Sequence, residues 1–380
     1  MENGLMSLQE VLQAVYSGGA SDVHLKVGRP PMMRVNGDLA PVAGNRALEL
    51  EDVQKFVFAL INPAQKARLE SERELDFSFQ VRGMARFRGN AYYQRGYMGA
   101  AFRLIPTVVP TLEQLGLAEV LKELVMKNQG LFLVTGPTGS GKSTTLAALI
   151  DYLNSHQPVH IITLEDPIEF IYEDKMAIIN QREVGADTLT FAQGLRRALR
   201  QDPDVILIGE MRDQETIVTA MNAAETGHLV LGTLHTNDAK QAIDRIVDTF
   251  PPESQHQIRM QIAKCLNGVA AQRLIKRADN QGLVAIQEIM INTPTIQKLI
   301  EDNRISAISK AIEDSQSFYK MQSFNQALLT LIRNRMVQVD EALAFSNNPN
   351  DLRIQLQTEG LMEMNTEVPV GLMPPGLRGA

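Results

Sequence analysis

The sequence predicts an α/β protein in which a largely parallel sheet follows a smaller mixed α/β unit. Between residues 130 and 233, four short apolar runs (130–135, 159–164, 204–209 and 229–233) lack polar alternation and are rich in β-branched residues. Helix-period segments at 142–154, 191–200 and 214–224 separate them. Strands buried on both faces and joined through helices imply a parallel sheet covered on both sides. Upstream of residue 105, two helical segments instead mix with short strand-like runs.

In chain order, residues 7–17 form an amphipathic helix, because Leu8, Val11, Leu12 and Val15 fall on one face. After Gly18-Gly19, the alternating stretch 22–27 is a strand, and turn signals at 28–31 and at Asn36-Gly37 bracket a hairpin strand over 32–35. A helix over 51–60 stops before Pro63, and strands follow at 75–81, 84–94 and 97–105. Pro106 and Pro110 bound a stiff connector. Beyond Pro251 the chain is expected to be mostly helical, with one strand at 283–291. The tail, 361–380, is rich in Met, Pro and Gly, has no apolar period and is expected to be disordered. The expected organisation is an N-terminal domain over 1–105, a linker over 106–117, a second domain with C-terminal helices over 118–360, and the tail. No internal repeat is present.

The 380 residues suit two or three domains, and 44% hydrophobic with 21% charged residues is the balance of a soluble globular chain. A net charge of -7 disfavours general attraction to nucleic acid or anionic lipid. The longest apolar runs fall far short of the ~18 residues a membrane span needs, so direct membrane insertion is not expected. Residues 1–10 lack the basic-then-apolar pattern of a secretory signal. A lone cysteine, Cys265, cannot make an internal disulfide or a four-cysteine zinc site. These features suit a cytosolic chain.

The run Gly136-Pro137-Thr138-Gly139-Ser140-Gly141-Lys142-Ser143-Thr144 fits G-x-x-x-x-G-K-[ST], with a buried strand before it and a helix after it. Its glycines let the backbone wrap closely, so that successive N–H groups point at phosphate oxygens, and the helix N-terminus favours anions. Lys142 is expected to reach the β- and γ-phosphates of ATP, and the Ser143 hydroxyl to sit on Mg²⁺.

Phosphoryl transfer to water needs one carboxylate to activate the water and another to hold the metal. Such groups belong at the carboxyl ends of the parallel strands. Glu165, Asp166 and Glu169 follow the strand 159–164, Glu210 follows 205–209, and His235 follows 229–233. Glu210 is the first carboxylate after its strand and a candidate metal group alongside Ser143, whereas Asp204 lies at the wrong end. His235, at the ligand end, is expected to sense the γ-phosphate. His228 lies before the same strand, where a histidine is as often a satisfied hydrogen-bonding group.

Several blocks, in this order, resemble the secretion ATPase superfamily and, within it, the type IV pilus retraction motors. They are Ser-Asp-Val-His-Leu at 21–25, the loop at 136–144, Glu-Asp-Pro-Ile-Glu at 165–169, Gln-Arg-Glu-Val-Gly at 181–185, 199–204, Gly-Glu-Met-Arg-Asp at 209–213 and Ala-Glu-Thr-Gly-His at 224–228. The resemblance spans roughly residues 8 to 356. It implies a PAS-like α+β N-terminal domain, a RecA-like P-loop domain with a helical C-terminal part, and a homohexameric ring that hydrolyses ATP to drive pilus retraction and twitching motility. It further implies that Glu169 is the general base, that Glu210 is the Walker B glutamate, and that His228 and His235 form a histidine box. The ring is expected to be cytoplasmic and peripheral, docking on an inner-membrane platform protein at the pilus base, with a paralogous retraction ATPase as a further candidate partner.

Ring ATPases need a cation from a neighbouring subunit to balance transition-state charge. Arg86 and Arg88 alternate on one strand and therefore share a face. Arg88 and Arg103 are the candidates for that role; a surface strand with solvated arginines is the plainer alternative, and Arg197 and Arg200 are other possible partners. Retraction motors usually carry an arginine-containing signature near the C-terminal helices. Here the matching stretch, 295–302, reads Thr-Ile-Gln-Lys-Leu-Ile-Glu-Asp, without arginine. That departure, with the 346–353 stretch, leaves the accessory retraction paralogue open. Pilus extension or type II secretion relatives usually carry an extra N-terminal domain and a four-cysteine zinc loop, and neither is found here. A DNA-handling ATPase on the same fold is disfavoured by the negative charge, so no nucleic-acid partner is expected.

Overall fold

Ser7 starts the first helix: its hydroxyl accepts from the Glu10 N–H while the Glu10 carboxylate accepts from the Ser7 N–H. The computed structural model describes residues 5–35, 37–106 and 108–362, so the expectation of a disordered tail falls almost wholly outside them. Helix α1 (Leu8–Ser17) buries Val11, Leu12 and Val15, and is followed by β1 (Asp22–Lys26), β2 (Met32–Val35), β3 (Asp38–Pro41) and α2 (Leu50–Phe58). Pro63, expected only to bar a helix, opens one. Asn62 accepts the Gln65 N–H as N-cap and Pro63 takes the first helical position of α3 (Pro63–Glu72), where its missing N–H costs nothing. Three long strands, β4 (Glu74–Val81), β5 (Ala85–Gln94) and β6 (Tyr97–Ile105), complete a six-stranded antiparallel sheet in the order β3-β2-β1-β6-β5-β4. The helices pack on it around Val11, Leu12, Phe56, Phe87 and Phe102.

The second layered unit begins sooner than the expected linker boundary. Leu112 and Leu117 are already buried in its core. In chain order come α4 (Val120–Val125), β7 (Gly130–Thr135), α5 (Lys142–His156), β8 (His160–Glu165), β9 (Ile178–Glu183), α6 (Phe191–Ala198), β10 (Val205–Ile208), α7 (Gln214–Glu225) and β11 (Leu229–Leu234). Then follow α8 (Ala239–Asp248), α9 (Pro252–Cys265), β12 (Leu266–Lys276), β13 (Leu283–Ile291), α10 (Pro294–Glu301), α11 (Ile308–Asp314), α12 (Gln316–Tyr319), α13 (Phe324–Arg333), α14 (Val339–Phe345) and α15 (Pro349–Thr358).

The seven strands run β13-β12-β7-β11-β10-β8-β9, parallel throughout except for the edge strand β13. Strands β7, β10 and β11 are buried at every position, as unalternated apolar runs require. β12 corrects the expectation that the chain beyond Pro251 is helical up to residue 283. Its Val269-Ala270-Ala271 run is buried on both faces and so carries no period-2 signal. Among the described residues, no helix is long and apolar enough to cross a membrane.

Candidate active site

The parallel register of β7, β11, β10 and β8 brings their carboxyl ends to one edge of the sheet, and the candidate groups follow from it. Gly136 leaves β7 with φ 149°, and a Cβ there would meet the Gln272 carbonyl oxygen at 2.3 Å, so only glycine fits. Gly141 caps α5 in the left-handed region, and no side chain caps that helix. The N–H groups of its first turn therefore have no intrahelical partner and are presented to an anion. The Lys142 ammonium folds back onto the Gly136 and Pro137 carbonyls at 2.8 and 3.0 Å. Burial pulls its pKa down, against the pull of Glu210 and Glu169. The Ser140 hydroxyl is buried with no protein partner.

A cleft of about 470 Å³ runs along residues 138–144 and is closed by Asp166, Glu169, Glu210 and His235. Adjoining it is a cavity of about 80 Å³ bounded by Ser143, Glu165, Glu169, Tyr172 and Glu210, with room for an ordered water. Burial pushes the Glu210 carboxyl up, but the Arg212 guanidinium and His235 more than offset this and hold it below the usual range. His235 Nε2 lies 3.2 Å from Glu210 Oε1. Glu165 is different. It is buried, accepts from the Thr163 hydroxyl and from Gln181 at 3.2 Å, and burial raises its pKa. Those two bonds tie the end of β8 to its own Thr163 and to Gln181 of β9.

Lys142, Ser143, Thr144, Glu169, Glu210 and His235 thus share one cleft. His228 does not join them. It sits at the opposite end of β11, its Nδ1 3.0 Å from the Ala223 carbonyl, roughly 20 Å along the strand from His235. Asp204 accepts the His160 N–H at 2.8 Å, also at that far end, and Arg197 and Arg200 end or follow α6 there.

On the N-terminal sheet, Ser78, Arg88, Arg103 and Asp22 form a cross-strand row over β4, β5, β6 and β1. Such directly opposed residues share a face. Arg103 is spoken for at one end by Asp22, at 2.8 Å. Arg88 lines a second cleft together with Asp166 and Glu183 of its own chain, so it stands beside the 165–169 segment in cis rather than reaching only toward a neighbour.

Three groups went unnoticed in the sequence. Arg212, two residues from Glu210, neutralises it. Buried Gln272 on β12 donates to the Ser140 carbonyl at 2.7 Å and accepts from Thr145 and Gln287 at 2.8 Å each, clamping the phosphate loop. No local signal marks it, because β12 itself was read as helix. Glu288, on β13, accepts the Ala239 N–H at 2.9 Å, where α8 begins just beyond His235.

Burial raises the Glu288 pKa to about 7 from an ordinary 4.5, with the Ala239 N–H pulling the other way. Between those values the folded chain holds the proton and the unfolded chain has released it, so stability falls as pH rises through this window. Glu288→Gln keeps the acceptor and removes the titration. Urea unfolding at pH 5 and pH 8 should show the variant gaining on the wild type at pH 8 by roughly 3 kcal/mol. An unchanged difference between the two pH values would show that Glu288 does not titrate there.

The type II/IV secretion system protein family matches residues 5–354. The chain belongs to that family. Within it, the type IV pilus retraction ATPase PilT of Pseudomonas aeruginosa is 48% identical over 337 residues, covering 89% of this chain and 97% of that protein. The type IV pilus ATPase PilU of the same organism is 40% identical over 93% of this chain and 92% of its own. The crystal structure of the pilus retraction motor PilT with bound ADP superposes with a TM-score of 0.85 at 44% identity, covering 92% of this chain and 99% of that one. That relationship supports nucleotide binding and ATP hydrolysis by this chain.

Proposed function

We propose that this chain hydrolyses Mg-ATP to power retraction of a type IV pilus. The observation that carries it is the near-complete match to PilT, 97% of that protein covered at 48% identity, on a chain whose Lys142, Glu169 and Glu210 share one cleft. The phosphate loop binds the β- and γ-phosphates, with Lys142 and the α5 N-terminus balancing their charge. Ser143 and Glu210 would hold Mg²⁺, an ion for which one or two protein donors suffice beside substrate phosphates. The ion neutralises charge on the phosphates when it is bound. Glu169 takes the proton of the attacking water, His235 senses the γ-phosphate, and Arg88 supplies a cation from the N-terminal domain.

The working form is a homohexamer on the cytoplasmic side of the inner membrane, engaging a platform protein at the pilus base. A second reading, an accessory retraction ATPase, is favoured by α10, where residues 295–302 carry no arginine, and by the 40% identity to PilU. Steady-state ATPase assays with and without Mg²⁺, alongside the mass in solution, separate the two. The motor reading expects Mg-dependent turnover in a hexamer-sized species and loss of pilus retraction in a deletion strain. A monomer that binds ATP without turnover, and a strain that still retracts, would favour the accessory role.

A further inference from the structure

The block Gln181-Arg182-Glu183-Val184-Gly185 ends the edge strand β9 outside the phosphate cleft, and nothing in the hydrolytic reading gives it work. Glu183 is nonetheless buried, with 6% of its surface exposed, and both of its carboxylate oxygens are engaged. Oε1 accepts from the Ser78 hydroxyl at 2.8 Å. Oε2 accepts from the Arg86 guanidinium at 3.2 Å and from the Ile168 backbone N–H at 3.3 Å. Arg86 also donates to the Ser78 hydroxyl at 2.6 Å. One carboxylate therefore ties two strands of the N-terminal sheet to the residue directly before Glu169.

We propose that Arg86, Ser78 and Glu183 form a latch between the two domains, in which Glu183 is a positioning residue that sets Glu169 according to where the N-terminal domain sits. The inference rests on the hydrolytic role of Glu169 proposed above.

The segment 166–169 leaves β8 beside this carboxylate. Its start is fixed because the Val184 N–H donates to the Glu165 carbonyl at 2.8 Å, and Glu165 pairs with Glu183 in the β8–β9 register. Its far end is fixed through the Ile168 N–H. The Glu183 backbone is pinned: its N–H donates to Asp187 at 2.9 Å, and its carbonyl closes the turn that follows β9. What remains free to move is the N-terminal side of the contact. Withdrawing Arg86 leaves a buried carboxylate without its counter-charge, which is costly, so Glu183 must find new partners or swing toward water. Either response releases the Ile168 N–H and lets Glu169 shift. A displacement near 1 Å at a catalytic group can cost on the order of 10²-fold in rate. The same sheet face carries Arg88 into the cleft that Asp166 also lines, so latch closure and delivery of that cation are one event.

The test uses the full-length protein and Arg86→Ala, Arg86→Lys, Glu183→Gln and the double variant Arg86→Ala/Glu183→Gln. Arg86→Ala should lower kcat about 10-fold or more while the affinity for ADP stays within about 2-fold, because the phosphate loop is untouched. Arg86→Lys, which keeps the charge, should recover most of the rate. The double variant should be little worse than either single one, since all of them break one unit. Amide hydrogen exchange across residues 165–170 should quicken in Arg86→Ala. That readout needs no turnover, so it decides the latch even if the wild type proves not to hydrolyse ATP. Unchanged kcat with unchanged exchange, or additive losses in the double variant, would overturn the proposal.

Discussion

Lys142→Ala should abolish measurable ATP hydrolysis, a loss on the order of 10²–10³-fold or more, in a chain that remains folded. The magnitude follows from removing a preorganised donor aimed at charge that develops in the transition state, in a partly water-excluded site. The chain stays folded because Lys142 contributes little to stability. Lys142 is buried, which already pulls its pKa down, and its contacts are to the Gly136 and Pro137 carbonyls, which water can satisfy. Ligand binding offers a second readout. A nucleotide that binds only the native chain stabilises it by about 2.7 kcal/mol at a hundred times its Kd. The wild type should therefore melt higher with saturating ATP, and the variant should lose most of that gain. Turnover at the wild-type rate in Lys142→Ala would remove the phosphate loop from the mechanism.

The parts of this molecule that the sequence reveals are those whose physics is local. The phosphate loop is legible because its glycines, Lys142 and Ser143 act within nine residues, and because a buried strand and a helix must flank it. Glu169, Glu210 and His235 are legible because they follow apolar strands, and a parallel sheet brings all such ends to one edge. Failures occur where tertiary contact decides. β12 is buried on both faces, which removes the alternation that distinguishes strand from helix in an apolar run. Pro63 reads as a stop, yet it begins α3 because Asn62 precedes it as N-cap. Gln272 lies 132 residues from the Ser140 carbonyl it holds, and Glu183 lies 97 residues from Arg86. No window along the chain contains both members of either pair. The resemblance groups His228 with His235 in one histidine box, but their places before and after one parallel strand already set them apart, and the structure puts only His235 at the cleft.

Glu169→Gln should slow hydrolysis by about 10²–10⁴-fold, the range for losing a positioned general base, while leaving nucleotide affinity nearly intact. Two carboxylates could accept the proton of the attacking water, and their surroundings distinguish them. Glu210 is held below the ordinary carboxylate range by Arg212 and His235, working against burial. A carboxylate stabilised in this way is a poor proton acceptor, because base efficiency falls as the pKa moves further below the working pH. It is well suited to hold a cation or orient water, since it stays charged across the neutral range. Glu169 borders both the phosphate cleft and the adjoining 80 Å³ cavity, and Ser143 lines both as well, so a water held there would have the two residues at its walls. Gln at 169 preserves shape and hydrogen bonding to such a water but cannot take its proton. Glu210→Gln should behave differently: it removes a metal-holding charge, so the Mg²⁺ concentration giving half-maximal rate should rise. If Glu169→Gln turns over normally and Glu210→Gln loses the rate without any change in Mg²⁺ requirement, Glu210 is the base and Glu169 is not. The base would then be a carboxylate whose pKa is raised by the bound triphosphate, whose negative charge at the cleft opposes that of Glu210.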